Sequence, residues 1–131
     1  MRRIVICASM VFIDKMREYS TMLSKNGFDV IIPEEDNWSN IAKHEINDYK
    51  RKVSKRHFDE ITDSDTHAIL VLNETKSGVN NYIGANTFAE IAMAFYFGKK
   101  IYILHDIFSP YKDELLAWGA VALNGDLGSI S

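Results

Sequence analysis

Cysteine occurs once in this chain, at Cys7 inside the apolar run "IVICA". No disulfide framework can form within it, and a reducing, cytoplasmic setting is the expectation. A lone thiol in such a run reads as a small buried hydrophobe. Basic excess is also missing: 15 Lys and Arg stand against 18 Asp and Glu, a net charge of -3. That balance argues against a protein that grips a nucleic-acid polymer, while a nucleotide-sized ligand stays compatible. No apolar run reaches the roughly 18 residues of a membrane span. The basic start "MRRIVICASM" has too short an apolar part for a signal peptide and reads as a first strand. There is no Walker-type glycine loop and no Ser-His-Asp order. "SMVFIDKM" is not a G-x-G-x-x-G pattern, which speaks against a dinucleotide domain.

What is there suits one compact domain over residues 1–131, with 47% hydrophobic and 25% charged residues. Arg3 to Ala8 reads as a buried strand, and residues 12–26 as a helix closed by Gly27. "FDVIIP" reads as a second strand ended by Pro33, followed by the polar loop "EEDNWSN". From Ile41 to Ile61 a charged helix carries Ile46, Tyr49, Val53, His57 and Ile61 as its inner stripe. "HAILVLN" is a third strand, of the kind buried on both faces. The loop "ETKSGVNNYIG", a helix over 86–97, a fourth strand "GKKIYIL", a short helix in "SPYKDELLAWG" and a last extended piece "AVALNGDL" complete the chain. Such alternation predicts an α/β flavodoxin-like, Rossmann-like three-layer sandwich with a five-stranded parallel sheet, order 2-1-3-4-5. Ligands in such sheets sit beyond the carboxyl ends of the strands, between the first and third.

The segment "NYIGANTFAEIAMAFYFGKKIYIL", residues 81–104, places an acid, Glu90, near the start of an apolar helix in that region. Two readings compete. "TFAE" fits a capping box in which Thr87 caps the helix and Glu90 reaches back to the Thr87 amide. Alternatively, an ionised carboxylate at the crevice attacks an electrophilic carbon and forms an ester intermediate, with a sugar anomeric carbon as the usual target. The small and amide residues Asn80, Asn81, Gly84 and Asn86 suit close backbone approach and hydrogen bonds to hydroxyls or phosphates.

This segment resembles the nucleoside 2-deoxyribosyltransferase-like family, which includes related nucleotide N-glycoside hydrolases. The resemblance extends to "ITDSD…AILVLN", "ICASMVF", "LLAWG" and "LNGDL", touching all five strand regions. It implies cleavage or transfer at the N-glycosidic bond of a (deoxy)nucleoside or its 5′-monophosphate, with a free nucleobase released. It implies that Glu90 is the nucleophile and that Asp65, ahead of the third strand, contacts the base or handles its proton. It places Ser9, with Met10 and Phe12, against the sugar or a 5′-phosphate. It further implies a homo-oligomer completed across subunits, with Asn124 and Asp126 in the tail "LNGDLGSIS" contributing to a neighbour's site. No metal or organic cofactor is called for. Gly84 stands where the transferases often carry a further acid, which tilts the expectation from base exchange towards hydrolysis.

The residues allow other assignments. Asp63 and Asp65 suit a plain helix-to-strand turn, and Ser9 a strand-to-helix cap. Tyr82 and Phe12 suit base stacking or ordinary packing, Asn86 and Thr87 ligand contact or a helix start, and Lys76 a phosphate contact or a solvated loop. The histidines show no ligand spacing, and His105 alone is expected at the crevice. The rival function is a non-catalytic nucleotide-binding or regulatory domain of the same fold. A flavin carrier is disfavoured because the first loop lacks a run of hydroxyl residues.

Overall fold

The computed structural model describes residues 1–33 and 40–131. The polar loop expected at 34–40 lies, except for its last residue, outside the described residues. Five strands form one parallel sheet in the order β2-β1-β3-β4-β5. They are β1 (Arg3–Cys7), β2 (Asp29–Ile31), β3 (Thr66–Val71), β4 (Lys100–Ile103) and β5 (Val121–Ala122). The connecting helices are α1 (Ile13–Lys25), α2 (Ile46–Thr62), α3 (Ala85–Tyr96) and α4 (Lys112–Ala117). The central pairing sets Ile4 to Cys7 in register with Ala68 to Val71 except at Arg3, where it shifts. The expected architecture, with the first and third strands adjacent, is thus the observed one.

Side-chain alternation explains why the strands are apolar without a break. Val5, Cys7, Ile69, Val71, Ile101 and Ile103 point to one face, where Ile61, Ile91 and Leu115 of α2, α3 and α4 cover them. Ile4, Ile6, Ala68, Leu70, Tyr102 and Leu104 point to the other, under Met16 and Leu23 of α1 and under Leu123 and Ile130 of the tail. Every strand residue in the middle of the sheet therefore loses water, whichever way it points.

Two helix starts differ from expectation. Helix α2 begins at Ile46, after a short 3-10 turn over Lys43–Glu45, and not at Ile41. The inward stripe itself begins at Ile46, and the turn before it is closed by the Glu45 amide on the Ala42 carbonyl at 2.8 Å. Helix α3 begins at Ala85, with Gly84 as its N-cap in an extended conformation (φ -80°, ψ 174°). The Phe88 amide donates to the Gly84 carbonyl at 2.9 Å, which closes the first helical turn upstream of Thr87. Thr87 is therefore a buried residue inside the helix and not its cap. The capping-box reading of "TFAE" is overturned.

Candidate functional site

A cleft of about 480 Å³ opens beyond the carboxyl ends of β1 and β3. Ser9 and Met10 reach it from the β1–α1 loop, Val53, His57 and Phe58 from α2, Lys76 and Tyr82 from the β3–α3 loop, and Gly84 to Thr87 with Glu90 from α3. Five parallel strands put all their carboxyl ends on one side, and these loops inherit that side.

The β3–α3 loop is more ordered than its polar composition suggests. Lys76 and Val79 exchange both backbone hydrogen bonds, at 3.0 and 2.9 Å. Ser77 and Gly78, at the tip, have φ of 50° and 77°. Positive φ at both central residues makes the tight hairpin turn that glycine eases. The turn presents Lys76, whose Nζ donates to Ser9 Oγ at 3.2 Å and lies 5.1 Å from the centre of the Tyr82 ring. Tyr82 is wedged edge-on against Phe108, with centroids 6.0 Å apart. A Cβ at position 84 would sit 3.0 Å from the Tyr82 hydroxyl. A side chain at position 84 would thus press on the tip of Tyr82, which would have to give by a few tenths of an ångström.

Glu90 is the sixth residue of α3, in its second turn. The helix dipole acts mainly over the first turn, so it is not what holds this carboxylate. Its partner is His57, brought in from α2: Nε2 of His57 lies 2.6 Å from Oε2 of Glu90. The two side chains are only 10% and 12% exposed. The approach is at ion-pair distance but lacks hydrogen-bond alignment, and both His57 ring nitrogens are buried without a hydrogen-bond partner. On the far side of the ring, Nδ1 lies 3.7 Å from Oε2 of Glu60, beyond hydrogen-bond reach. A buried imidazole thus sits between two carboxylates, one of them on the cleft wall. Chemically, Glu90 can act as nucleophile or base, and His57 can orient it or carry a proton.

Cys7, at the end of β1, lies beneath this pair. Its thiol, the His57 ring and the Glu90 carboxylate place one donor atom each within 4.8 Å of one another. Burial pushes the Cys7 thiol upward, so without a cation beside it the sulfur keeps its proton. The sequence expectation of a small buried hydrophobe agrees with zero exposure. The histidines show no ligand spacing along the chain, and the fold nonetheless brings His57 beside Cys7 and Glu90. The three donors come from β1, α2 and α3, so no local spacing announces them.

Of the residues singled out from sequence, Ser9, Met10, Tyr82, Gly84, Asn86, Thr87 and Glu90 line one cleft. Asp65 does not. It lies in the turn before β3, at the amino end of the sheet, where its amide donates to Asp63 Oδ1 at 2.8 Å. That is the helix-to-strand turn, at the opposite end of the strand from Glu90. Phe12 caps the start of α1 and is absent from the cleft lining. Asn124 and Asp126 follow β5; Asp126 spends its two oxygens on the Gly128 amide and the Ser129 hydroxyl, each at 3.0 Å. His105 reaches the carboxyl end of β4 as expected but pairs with Glu74 at 3.1 Å, outside the cleft lining. Sequence reasoning missed His57 as a cleft residue because it belongs to an inward stripe that is otherwise apolar. It also missed Asn73, fully buried, which accepts from the His105 amide at 2.9 Å and donates to the Asp106 carbonyl at 2.7 Å. That side chain ties the ends of β3 and β4 together behind the cleft.

Fold and cleft together define a doubly wound α/β domain with an acid–imidazole pair at the switch point of its sheet. No family model matches the chain, and no curated protein sequence matches it. Among solved structures, the Clostridium botulinum CMP N-glycosidase BcmB is similar, with a TM-score of 0.57 over 94% of this chain and 90% of that one, at 15% sequence identity. At that identity the likeness is one of fold. No helix among the described residues is long and apolar enough to cross a membrane.

Proposed function

We propose that the protein hydrolyses the N-glycosidic bond of a nucleoside 5′-monophosphate or (deoxy)nucleoside, with Glu90 as nucleophile. The observation that carries this is the Glu90 carboxylate on the cleft wall, 2.6 Å from a buried imidazole. The fold shared with a CMP N-glycosidase supports the same reaction class. Glu90 attacks C1′, the C1′–N bond breaks, and the base departs with the bonding electrons and takes up a proton from solvent in the cleft. Water then attacks the ester at C1′, giving the sugar and restoring the carboxylate. His57 is the group beside the ester that accepts the proton of that water. The products are the free base and the sugar or sugar phosphate. Lys76, Ser9 and the amino end of α3 supply cationic and donor groups suited to a 5′-phosphate. Gly84 supplies no carboxylate beside the cleft, which favours hydrolysis over exchange with a second base.

A homo-oligomer remains part of the proposal, with Asn124 and Asp126 facing a neighbour's cleft. The rival reading is a nucleotide-binding domain without turnover. It draws on the same contact, since a carboxylate engaged by His57 can simply join α2 to α3. Chromatographic detection of free base from a panel of nucleosides and monophosphates separates the two. Base released by the wild-type chain and abolished by Glu90→Gln supports hydrolysis; ligand binding without release supports the rival.

A further inference from the structure

Cys7, His57 and Glu90 have a property that the glycosidic reaction does not use. Thiol, imidazole and carboxylate are the three side-chain donors that a borderline-soft cation such as Zn²⁺ takes together. Here they converge from β1, α2 and α3, with the donor atoms within 4.8 Å of one another. Three such donors placed tetrahedrally around zinc stand about 3.3–3.7 Å apart. To reach that spacing the sulfur has to move inward and the 2.6 Å contact between His57 and Glu90 has to open. His57 supplies a second, independent sign. Its side chain is nine-tenths buried and neither ring nitrogen makes an aligned hydrogen bond, Nε2 having only its 2.6 Å ion-pair contact with Glu90, itself one of the three donors. A cation between the two can replace that misaligned contact with a bond to each.

We propose that Cys7, His57 and Glu90 form a binding site for a single Zn²⁺-like cation at the floor of the cleft, and that its occupancy blocks the carboxylate needed for turnover. Binding forms one metal–sulfur, one metal–nitrogen and one metal–oxygen bond, and the Cys7 proton passes to solvent. Water from the cleft takes the fourth position. Cation binding stands on the donor set alone. The blocking of turnover rests on the glycosidic reading, since only there does Glu90 act as a nucleophile.

The test is titration of the purified full chain, under reducing conditions, with Co²⁺ as a spectroscopic probe. One equivalent should produce a thiolate-to-cobalt band in the near ultraviolet and intense visible bands of tetrahedral cobalt, and Zn²⁺ should bleach both. Cys7 is the one cysteine in the chain, so the thiolate band identifies the ligand even if Cys7→Ser does not fold. His57→Gln and Glu90→Gln, checked for folding by circular dichroism, should each weaken cobalt binding by more than about tenfold. In parallel, one equivalent of Zn²⁺ should slow base release by at least about tenfold, and a chelator should restore it. Absence of the thiolate band in the wild-type chain overturns the site, as does unchanged cobalt affinity in both variants. Cobalt binding with no slowing of base release overturns the block alone. If the metal-free chain releases no base, the glycosidic reading fails while the cobalt spectrum still decides the cation site.

Discussion

The two ends of β3 carry acids in opposite settings. At the carboxyl end, Glu90 projects from α3 into a cleft, its side chain 12% exposed and pressed against His57. At the amino end, Asp65 sits exposed in a turn whose hydrogen bond runs from its own amide to Asp63. The family resemblance casts both as partners in one reaction, and a six-residue strand keeps them apart. At roughly 3.3 Å per residue, that strand alone spans nearly 20 Å, far beyond the reach of one substrate bond. Buried charge has consequences that exposed charge does not: an acid taken out of water must find a partner, whereas an acid in a solvated turn is satisfied by water and its own backbone. The proposed chemistry is therefore assigned to the end where burial forced Glu90 into company.

The sharpest way to break this contrast is Glu90→Gln. The amide keeps the shape but cannot form the glycosyl ester, so base release should fall by about three orders of magnitude or more, while ligand still binds. Full activity in that variant would remove the mechanism. A further demand is an adduct: with a 2-fluoro-2-deoxy-arabinosyl nucleoside, a peptide containing Glu90 should gain the mass of one sugar.

His57→Gln comes next. An orienting and proton-accepting imidazole is worth roughly 10²-fold in kcat. KM should stay within about twofold, because the ring acts on the nucleophile and not on ground-state binding. A merely structural His57 would instead lower the melting temperature with kcat intact.

Lys76→Met sharpens the comparison within the cleft. Loss of one cation opposite a phosphate should raise KM for a 5′-monophosphate about tenfold, or roughly 1.4 kcal/mol, and leave the corresponding nucleoside unaffected. Equal losses for both would place Lys76 in loop structure, where it already holds Ser9.

Asp65→Asn should do least. Asparagine suits such a turn nearly as well, so stability should change by no more than about 0.5 kcal/mol and turnover by less than about twofold. A large rate loss with an unchanged melting curve would bring Asp65 back into the site.

Strand positions, sheet order and the location of the crevice were legible because each rests on local pattern. "IVIC" and "AILV" are apolar without interruption, which only a strand covered on both faces sustains. The stripe of Ile46, Tyr49, Val53, His57 and Ile61 was legible for the same reason, and all five are at least partly buried in α2. What misled was the start of α3. "TFAE" has the form of a capping box, but Gly84 reaches the cap conformation three residues earlier, without a side-chain bond. Backbone geometry won over the hydroxyl because Thr87 is buried in the helix and Glu90 has His57.

The sequence by itself determined a doubly wound sheet, a cleft between its first and third strands and an acid beside that cleft, since periodicity and alternation are local properties that the chain carries into any fold it adopts. Only the tertiary structure decided which groups meet there. Cys7, His57 and Glu90 are far apart along the chain, and nothing short of packing α2 and α3 against β1 brings their donor atoms together. It also decided that Asp65 stays out, because a strand fixes its two ends on opposite edges of the sheet however close the residues lie in sequence.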